Sequence, residues 1–218
     1  MALSKEELKQ LYRKRAALYD LTANLYYLIG FREQAYRKQA VAALGLRRGD
    51  TVVEIGCDTG LNFPLLFRAV GPEGKIIGVD LTKEMLEKAQ ERVSRKGWTN
   101  VQLVHGDAAE FRFPSNLGGI ISTFALTLVP EFDTVIRSGS AALAADKRWV
   151  VLDFKLPPGR IAALFVPFLV FFSKQFGVRR ELAGRHPWES IAKYLGNVSV
   201  MNLFFGFTYI AVGMKRTG

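Results

Sequence analysis

The ten residues Thr51-Val-Val-Glu-Ile-Gly-Cys-Asp-Thr-Gly60 constrain this chain more than any others. Two β-branched residues lead into Glu54, and two glycines, Gly56 and Gly60, follow it. The segment Leu61 to Val70 has the spacing of a helix, and the apolar run after it, Lys75-Ile-Ile-Gly-Val, ends on Asp80. The pattern is strand, tight loop, helix, then a second strand with an acid at its tip. Such a loop lets a ligand approach bare backbone, and an acid at the next strand end can accept from both hydroxyls of a ribose. The expected ligand therefore contains a nucleoside. Glycines after a strand also serve simply to turn the chain into a helix, so the loop is weighed with its surroundings.

A third apolar run ends in Gly106-Asp107-Ala108 and a fourth, Gly119–Leu126, continues to Leu128-Val-Pro. A dinucleotide fingerprint would want a further glycine at position 63, where this chain has Phe63. With its acids and loops, the series instead resembles the Rossmann-like S-adenosylmethionine-dependent methyltransferases. The resemblance covers roughly residues 50–155 and the terminal strands. It implies S-adenosylmethionine as cofactor and S-adenosylhomocysteine as product. Glu54 and Asn62 would belong to the cofactor site. Gly56 and Gly60 would pass beside the methionine moiety, and Asp80 would take the ribose hydroxyls. Leu81 and Met85 would lie against the adenine. Gly106, Asp107 and Ala108 would face its exocyclic amine, and Thr123, Phe124 and Ala125 would floor the reactive methyl. Asp58 stands where the family usually has glycine. Aspartate tolerates left-handed backbone better than most residues, so the loop can form, but it adds a negative charge beside a cationic cofactor.

The remaining elements are predicted from periodicity and breakers. Residues 4–29 read as a helix opened by the capping box Ser4-Lys-Glu-Glu7, and a second helix runs from Glu33 to Leu44. Strands are expected at 51–55, 75–79, 101–104, 119–123, 148–154, 198–204 and 207–214, with helices at 61–70, 83–95 and 131–143. This alternation specifies an α/β fold: a Rossmann-like, seven-stranded, mostly parallel sheet with helices on both faces, closed by an antiparallel terminal hairpin. Residues 1–48 would form an N-terminal helical cap, and 49–218 the cofactor-binding domain with an insertion at 156–197.

One cysteine, Cys57, excludes an internal disulfide, and with only two histidines, far apart, no metal site is expected. The net charge of +10 is uneven: +5 over residues 1–50, −2 over 51–154 and +7 over 155–218. Basic flanks around a slightly acidic middle point to an anionic partner. Strand motifs interleaving arginine with aromatics are missing, so nucleic acid is not the expected partner. The apolar run Ile161–Phe172, broken by Pro167, is followed by Lys174, Arg179, Arg180 and Arg185. Twelve residues are too few to span a bilayer but suit an interfacial or lid segment. The start of the chain lacks the apolar core of a secretory signal, and the expectation is a cytoplasmic enzyme peripheral to an anionic membrane surface.

The N-terminal run Tyr12–Asp20 with Leu25-Tyr-Tyr27 resembles bacterial phospholipid N-methyltransferases and the ubiquinone and menaquinone methyltransferases. The resemblance implies a hydrophobic or lipid acceptor: an amine head group of the phosphatidylethanolamine type, or else a prenylated quinone ring. Methyl transfer needs an aligned nucleophile with a free lone pair, and an amine must first lose a proton. Tyr19, Tyr26 and His186 are the candidates for that work or for holding the cationic product by cation–π attraction. Tyr26 and Tyr27, as helical neighbours, cannot both face one site. Arg179, Arg180 and Arg185 are candidates for a lipid phosphate, and Lys155 for the acceptor channel.

Overall fold

The computed structural model describes residues 30–155 and 184–216, together with Glu6, Glu7 and Gln10. Most of residues 1–29 of the expected N-terminal cap (1–48) and most of the 156–197 insertion lie outside the described residues.

Seven strands form one sheet: β1 (Thr51–Ile55), β2 (Lys75–Asp80), β3 (Val101–His105), β4 (Leu117–Thr123), β5 (Leu143–Phe154), β6 (Gly196–Leu203) and β7 (Thr208–Met214). Their order is β3-β2-β1-β4-β5-β7-β6. The first five strands are parallel, and β7 runs antiparallel between β5 and β6. This is the Rossmann-like sheet with the terminal hairpin that the residues predicted.

Central strands are covered on both faces, which is why they read as continuous Val/Ile runs rather than alternating ones. Helices α1 (Glu33–Ala43), α2 (Phe63–Val70) and α3 (Lys83–Lys96) cover one face. Ala40, Val41, Phe63, Leu66, Ala89 and Val93 pack there on Val52, Ile76, Ile121, Val150 and Leu152. Helices α4 (Phe132–Ala142) and α5 (Pro187–Tyr194) cover the other. Val135, Ile136 and Ile191 meet Val53, Ile55, Ile120, Trp149, Val151 and Tyr209.

The boundaries depart from expectation where local hydrogen bonding overrides pattern. Helix α2 begins at Phe63 rather than 61, because Gly60 N–H donates to Cys57 O (2.8 Å) and Phe63 N–H to Gly60 O (3.1 Å), closing a turn first. Strand β5 starts at Leu143 rather than 148. Leu143 pairs with Leu117 across an irregularity in the β4–β5 register, so the polar stretch Asp146-Lys-Arg is taken into the strand. The β6–β7 connection is a short 3₁₀ turn, Phe204–Gly206, in which Phe205 lies at φ 55°. Helix α3 runs to Lys96 rather than 95 and ends on a left-handed Gly97 (φ 65°), with Trp98 N–H reaching Val93 O at 3.2 Å.

Gly139 sits in α4 where a Cβ would collide with the Trp149 indole and press on Ile120. In a free helix Gly→Ala stabilises by about 1 kcal/mol. Here Gly139→Ala is expected to destabilise by about 1–3 kcal/mol, the cost of overpacking a fully buried contact. Chemical denaturation of the two proteins reads the sign directly.

Candidate active site

The strand order reverses between β1 and β4, and in open α/β sheets a ligand crevice forms at the carboxyl ends of the strands beside that switch point. A cleft of about 710 Å³, open mouth included, lies there. Ile55, Gly56 and Asp58 line it from the end of β1. Val79, Asp80, Leu81 and Thr82 line it from β2, and Gly106, Asp107 and Ala108 follow β3. Phe124, Ala125 and Leu128 to Pro130 follow β4.

Two loops are tied together by one carboxylate. Asp58 N–H donates to Asp80 Oδ2 (2.9 Å) and Thr82 N–H donates to Asp80 Oδ1 (2.8 Å). Burial raises the Asp80 pKa above the ordinary carboxylate range, while the bonds from Thr82 and Asp58 pull it back. The side chain of Thr82 also bonds this carboxylate. Asp107 Oδ1 accepts from Ala109 N–H at 2.9 Å, which shapes the third loop. His105 Nε2 lies 3.1 Å from Leu81 O, joining the second loop to the third.

Gly56 is left-handed (φ 67°) and a Cβ there would collide with Ala125, so the β1 and β4 loops approach at backbone distance. Asp58 (φ 46°) and Phe124 (φ 57°) are left-handed without being glycine. Phe124 is held by its N–H to Leu152 O (2.7 Å) and by ring contacts with Phe154 (4.7 Å) and Phe31 (5.9 Å) between centroids. Strain of this kind costs on the order of 1 kcal/mol per residue and gathers where the fold must aim a side chain.

Glu54, Asn62 and Thr123 are not in the cleft wall. They are fully buried behind it in a polar network that the sequence did not reveal. Asn62 Nδ2 donates to Glu54 Oε1 (2.6 Å) and to Thr123 Oγ1 (3.0 Å). Arg37, 5% exposed on α1, donates to Thr123 Oγ1 (2.6 Å), Asn62 Oδ1 (3.3 Å) and Glu33 Oε1 (2.8 Å). Its guanidinium also lies 5.4 Å from the centre of the Phe124 ring. Burial pushes the Glu54 pKa up to about 7, against the lowering effects of Asn62 and Arg37. Its Oε2 is buried with no hydrogen-bond partner.

Two further expected residues lie away from the cleft wall. Met85, expected against the adenine, is fully buried inside the protein, on the same helical face as Ala89 and Val93. Gly60 is absent from the cleft wall; its φ of 75° and the Phe63 ring packed over it make it a turn and packing glycine. The expected cofactor residues that the structure does bring together at the cleft are Gly56, Asp58, Asp80, Leu81, Gly106, Asp107, Ala108, Phe124 and Ala125.

Among the expected catalytic residues, Tyr19 and Tyr26 lie outside the described residues, as do Tyr27, Arg179 and Arg180. His186 precedes α5, with Nδ1 2.9 Å from Glu189 Oε1 and its ring stacked on Trp188 at 4.5 Å. It does not line the cleft. Arg185 donates to Thr127 O (2.9 Å), and Lys155 Nζ lies 5.5 Å from the Trp188 ring centre. Between them sits a buried group that sequence reasoning missed. Asp153 Oδ2 accepts from Thr127 N–H (2.9 Å) and Oδ1 from Phe154 N–H (2.8 Å); burial raises its pKa to about 6. The adjacent Tyr209 phenol is buried, and burial pushes its pKa well up. The only sequence signal for this group is an acid near the end of an otherwise apolar strand.

Residues 52–146 match the family described as a methyltransferase domain. The chain is 27% identical over 221 residues to the demethylmenaquinone methyltransferase of Staphylococcus aureus, covering 97% of this chain and 88% of that one. Its fold is similar to a SAM-dependent methyltransferase from Aquifex aeolicus (TM-score 0.57, 19% identity, 82% of this chain and 89% of that one). It is also similar to phosphoethanolamine N-methyltransferase 2 of Haemonchus contortus bound to phosphomonomethylethanolamine and S-adenosylhomocysteine (TM-score 0.63, 16% identity, 82% and 52%). The chain is thus a class I, Rossmann-like methyltransferase, and S-adenosylmethionine is its cofactor. The cleft fits that molecule: bare backbone at Gly56, an acid at Asp80 and an apolar wall at Leu81 and Ala108.

Glu54 holds its proton in the folded state to about pH 7 but loses it near 4.5 when unfolded. Between those values the native state binds more protons, so stability falls as pH rises, by about 3 kcal/mol in total. Glu54→Gln is expected to flatten this slope and to leave stability below pH 4.5 unchanged, read as denaturation midpoints across pH. Asp80→Ala, which removes the acceptor and the tie between loops, is expected to weaken S-adenosylmethionine at least tenfold by calorimetry.

Proposed function

We propose that the enzyme transfers its methyl group to an amine nitrogen in the head group of a membrane lipid. The observation that carries this reading is the charge of the cleft. Its wall holds Asp58, Asp80 and Asp107 and, among the described residues, no lysine, arginine or histidine. At the same end of the sheet the rings of Phe31, Phe124, Phe154 and Phe204 form one cluster, with centroid separations of 4.7–5.9 Å. Carboxylates and aromatic faces stabilise a nitrogen that becomes cationic as it is methylated. They disfavour a nucleophile that must become anionic before it attacks. The chemistry balances simply: the nitrogen lone pair forms the new C–N bond, the C–S bond breaks with its electrons on sulfur, and the ammonium proton leaves to water beforehand.

Membrane residence of the acceptor rests on the basic flanks and on where the chain leaves the described body. Phe31 stacks on Phe154, and Lys155 follows β5, its N–H reaching Phe207 O (3.0 Å). Arg185 bonds Thr127 beside the cleft. The N-terminal segment and the segment carrying the apolar run 161–172 therefore both join at the rim of the cleft. No helix among the described residues is long and apolar enough to cross a membrane.

A second reading, methylation of a prenylated quinol ring, draws support from the near full-length similarity to the staphylococcal demethylmenaquinone enzyme. With labelled S-adenosylmethionine and vesicles carrying both phosphatidylethanolamine and a prenylated naphthoquinol, label is expected in the amine lipid. Label confined to the quinol would replace the first reading with the second, and label in neither would overturn both.

A further inference from the structure

The turn between β6 and β7 sets bulky residues where the backbone favours small ones. Phe204 (φ 43°), Phe205 (φ 55°) and Gly206 (φ 86°) are all left-handed. Glycine and asparagine hold such positions at little cost, whereas a phenylalanine there is strained. Phe204 is explained by its packing, since its ring meets that of Phe31 at 5.2 Å between centroids. Phe205 is not explained in this way. At 90% exposure it is the most exposed large apolar side chain among the described residues, and its ring contacts that of Phe204 at 5.6 Å. A side chain that strains the backbone and gains little burial points to a use outside the fold.

We infer that this turn is a wedge that seats in the surface of an anionic bilayer and brings the mouth of the cleft to the head groups. The inference rests on the reading that the acceptor resides in a membrane. The apolar surface continues from Phe205 along β6, where Val200 is 42% and Met201 47% exposed. From Ser190 to Gly218 the sequence holds no acidic residue. Arg32, exposed, adjoins the Phe31 that packs on Phe204, and the Lys155 N–H bonds Phe207 O (3.0 Å). Glu33, the acid next to Arg32, is turned onto Arg37 instead. An exposed aromatic tip flanked by basic residues suits an anionic lipid surface. The chain also enters the described body at Gly30 and leaves it at Lys155, both beside this turn, and the segment after Lys155 carries the apolar run Ile161–Phe172. Rings lead inward from the tip: Phe205 to Phe204 (5.6 Å), Phe204 to Phe31 (5.2 Å) and Phe31 to Phe124 (5.9 Å), which lines the cleft.

Full-length protein is compared with Phe205→Gly, which removes the ring and relieves the turn. Binding is read by sedimentation with vesicles of phosphatidylglycerol and phosphatidylcholine. These hold no amine left to methylate, so the result is independent of the acceptor. Phe205→Gly is expected to bind the vesicles about tenfold more weakly. Its denaturation midpoint should be equal or higher, and its affinity for S-adenosylmethionine unchanged. Cys57 is buried, so Phe205→Cys takes a polarity-sensitive dye at the tip, whose emission should shift to the blue when vesicles are added. Equal vesicle binding by the parent and Phe205→Gly overturns the inference, whatever the parent methylates. So does a dye already blue-shifted without vesicles, because the tip is then covered by this chain or by a second copy, which ultracentrifugation tells apart. Weakened binding by Phe205→Gly supports the wedge even where methyl label falls on the quinol, since both acceptors reside in the membrane.

Discussion

The working end of this protein depends on one buried carboxylate with two backbone donors. Asp80 ends β2, and its oxygens take the N–H groups of Asp58 from the loop before and Thr82 from the loop after. A buried carboxylate left without such bonds would hold its proton instead of its charge. By accepting them, Asp80 sets the spacing between the loops that follow β1 and β2. The same residue lines the cleft. Structure and ligand recognition therefore draw on one side chain, and neither role can be altered without the other.

Beneath this tie lies a second layer. Arg37 is almost completely buried, and such a charge is tolerated only when its donors are used. Here they reach Glu33 on its own helix, Asn62 at the start of α2 and Thr123 at the end of β4. Helix α1, the last element before the domain proper, is thereby joined to the floor of the cleft. Phe31 extends the connection by packing against Phe124, Phe154 and Phe204. The residue directly before this helix system, Gly30, is where the N-terminal segment enters.

The sheet and its order were legible because each strand is a short apolar run closed by a breaker, and because Gly56, Asp80 and Gly106 punctuate strand ends. Local patterns failed where a residue's role is set by distant partners. Asn62 and Thr123 read as cofactor contacts, yet they face a guanidinium 25 and 86 positions away. Met85 looked like a cap over the adenine, but its place one turn before Ala89 turns it into the core. Asp153 could not be recognised as a brace, since its partner Thr127 is 26 residues distant in the chain. His186 carried the features of a base in isolation; stacked on Trp188 and paired with Glu189, it belongs to the start of α5.

Asp153 also braces the wall of the cleft that follows β4. Its carboxylate takes the N–H of Thr127 and so pins the 3₁₀ turn Leu126–Leu128, whose last residue begins the outer wall of the cleft. Arg185 grips the carbonyl of the same residue from the opposite side. Thr127, held through both its N–H and its C=O, thus fixes where Leu128, Val129 and Pro130 stand relative to Phe124. An acceptor atom must approach along the line of the breaking C–S bond, and displacement by an ångström is costly. Rigidity here belongs to the wall rather than to a catalytic side chain. This is consistent with a transfer whose chemistry demands alignment and a free lone pair more than proton handling by the protein.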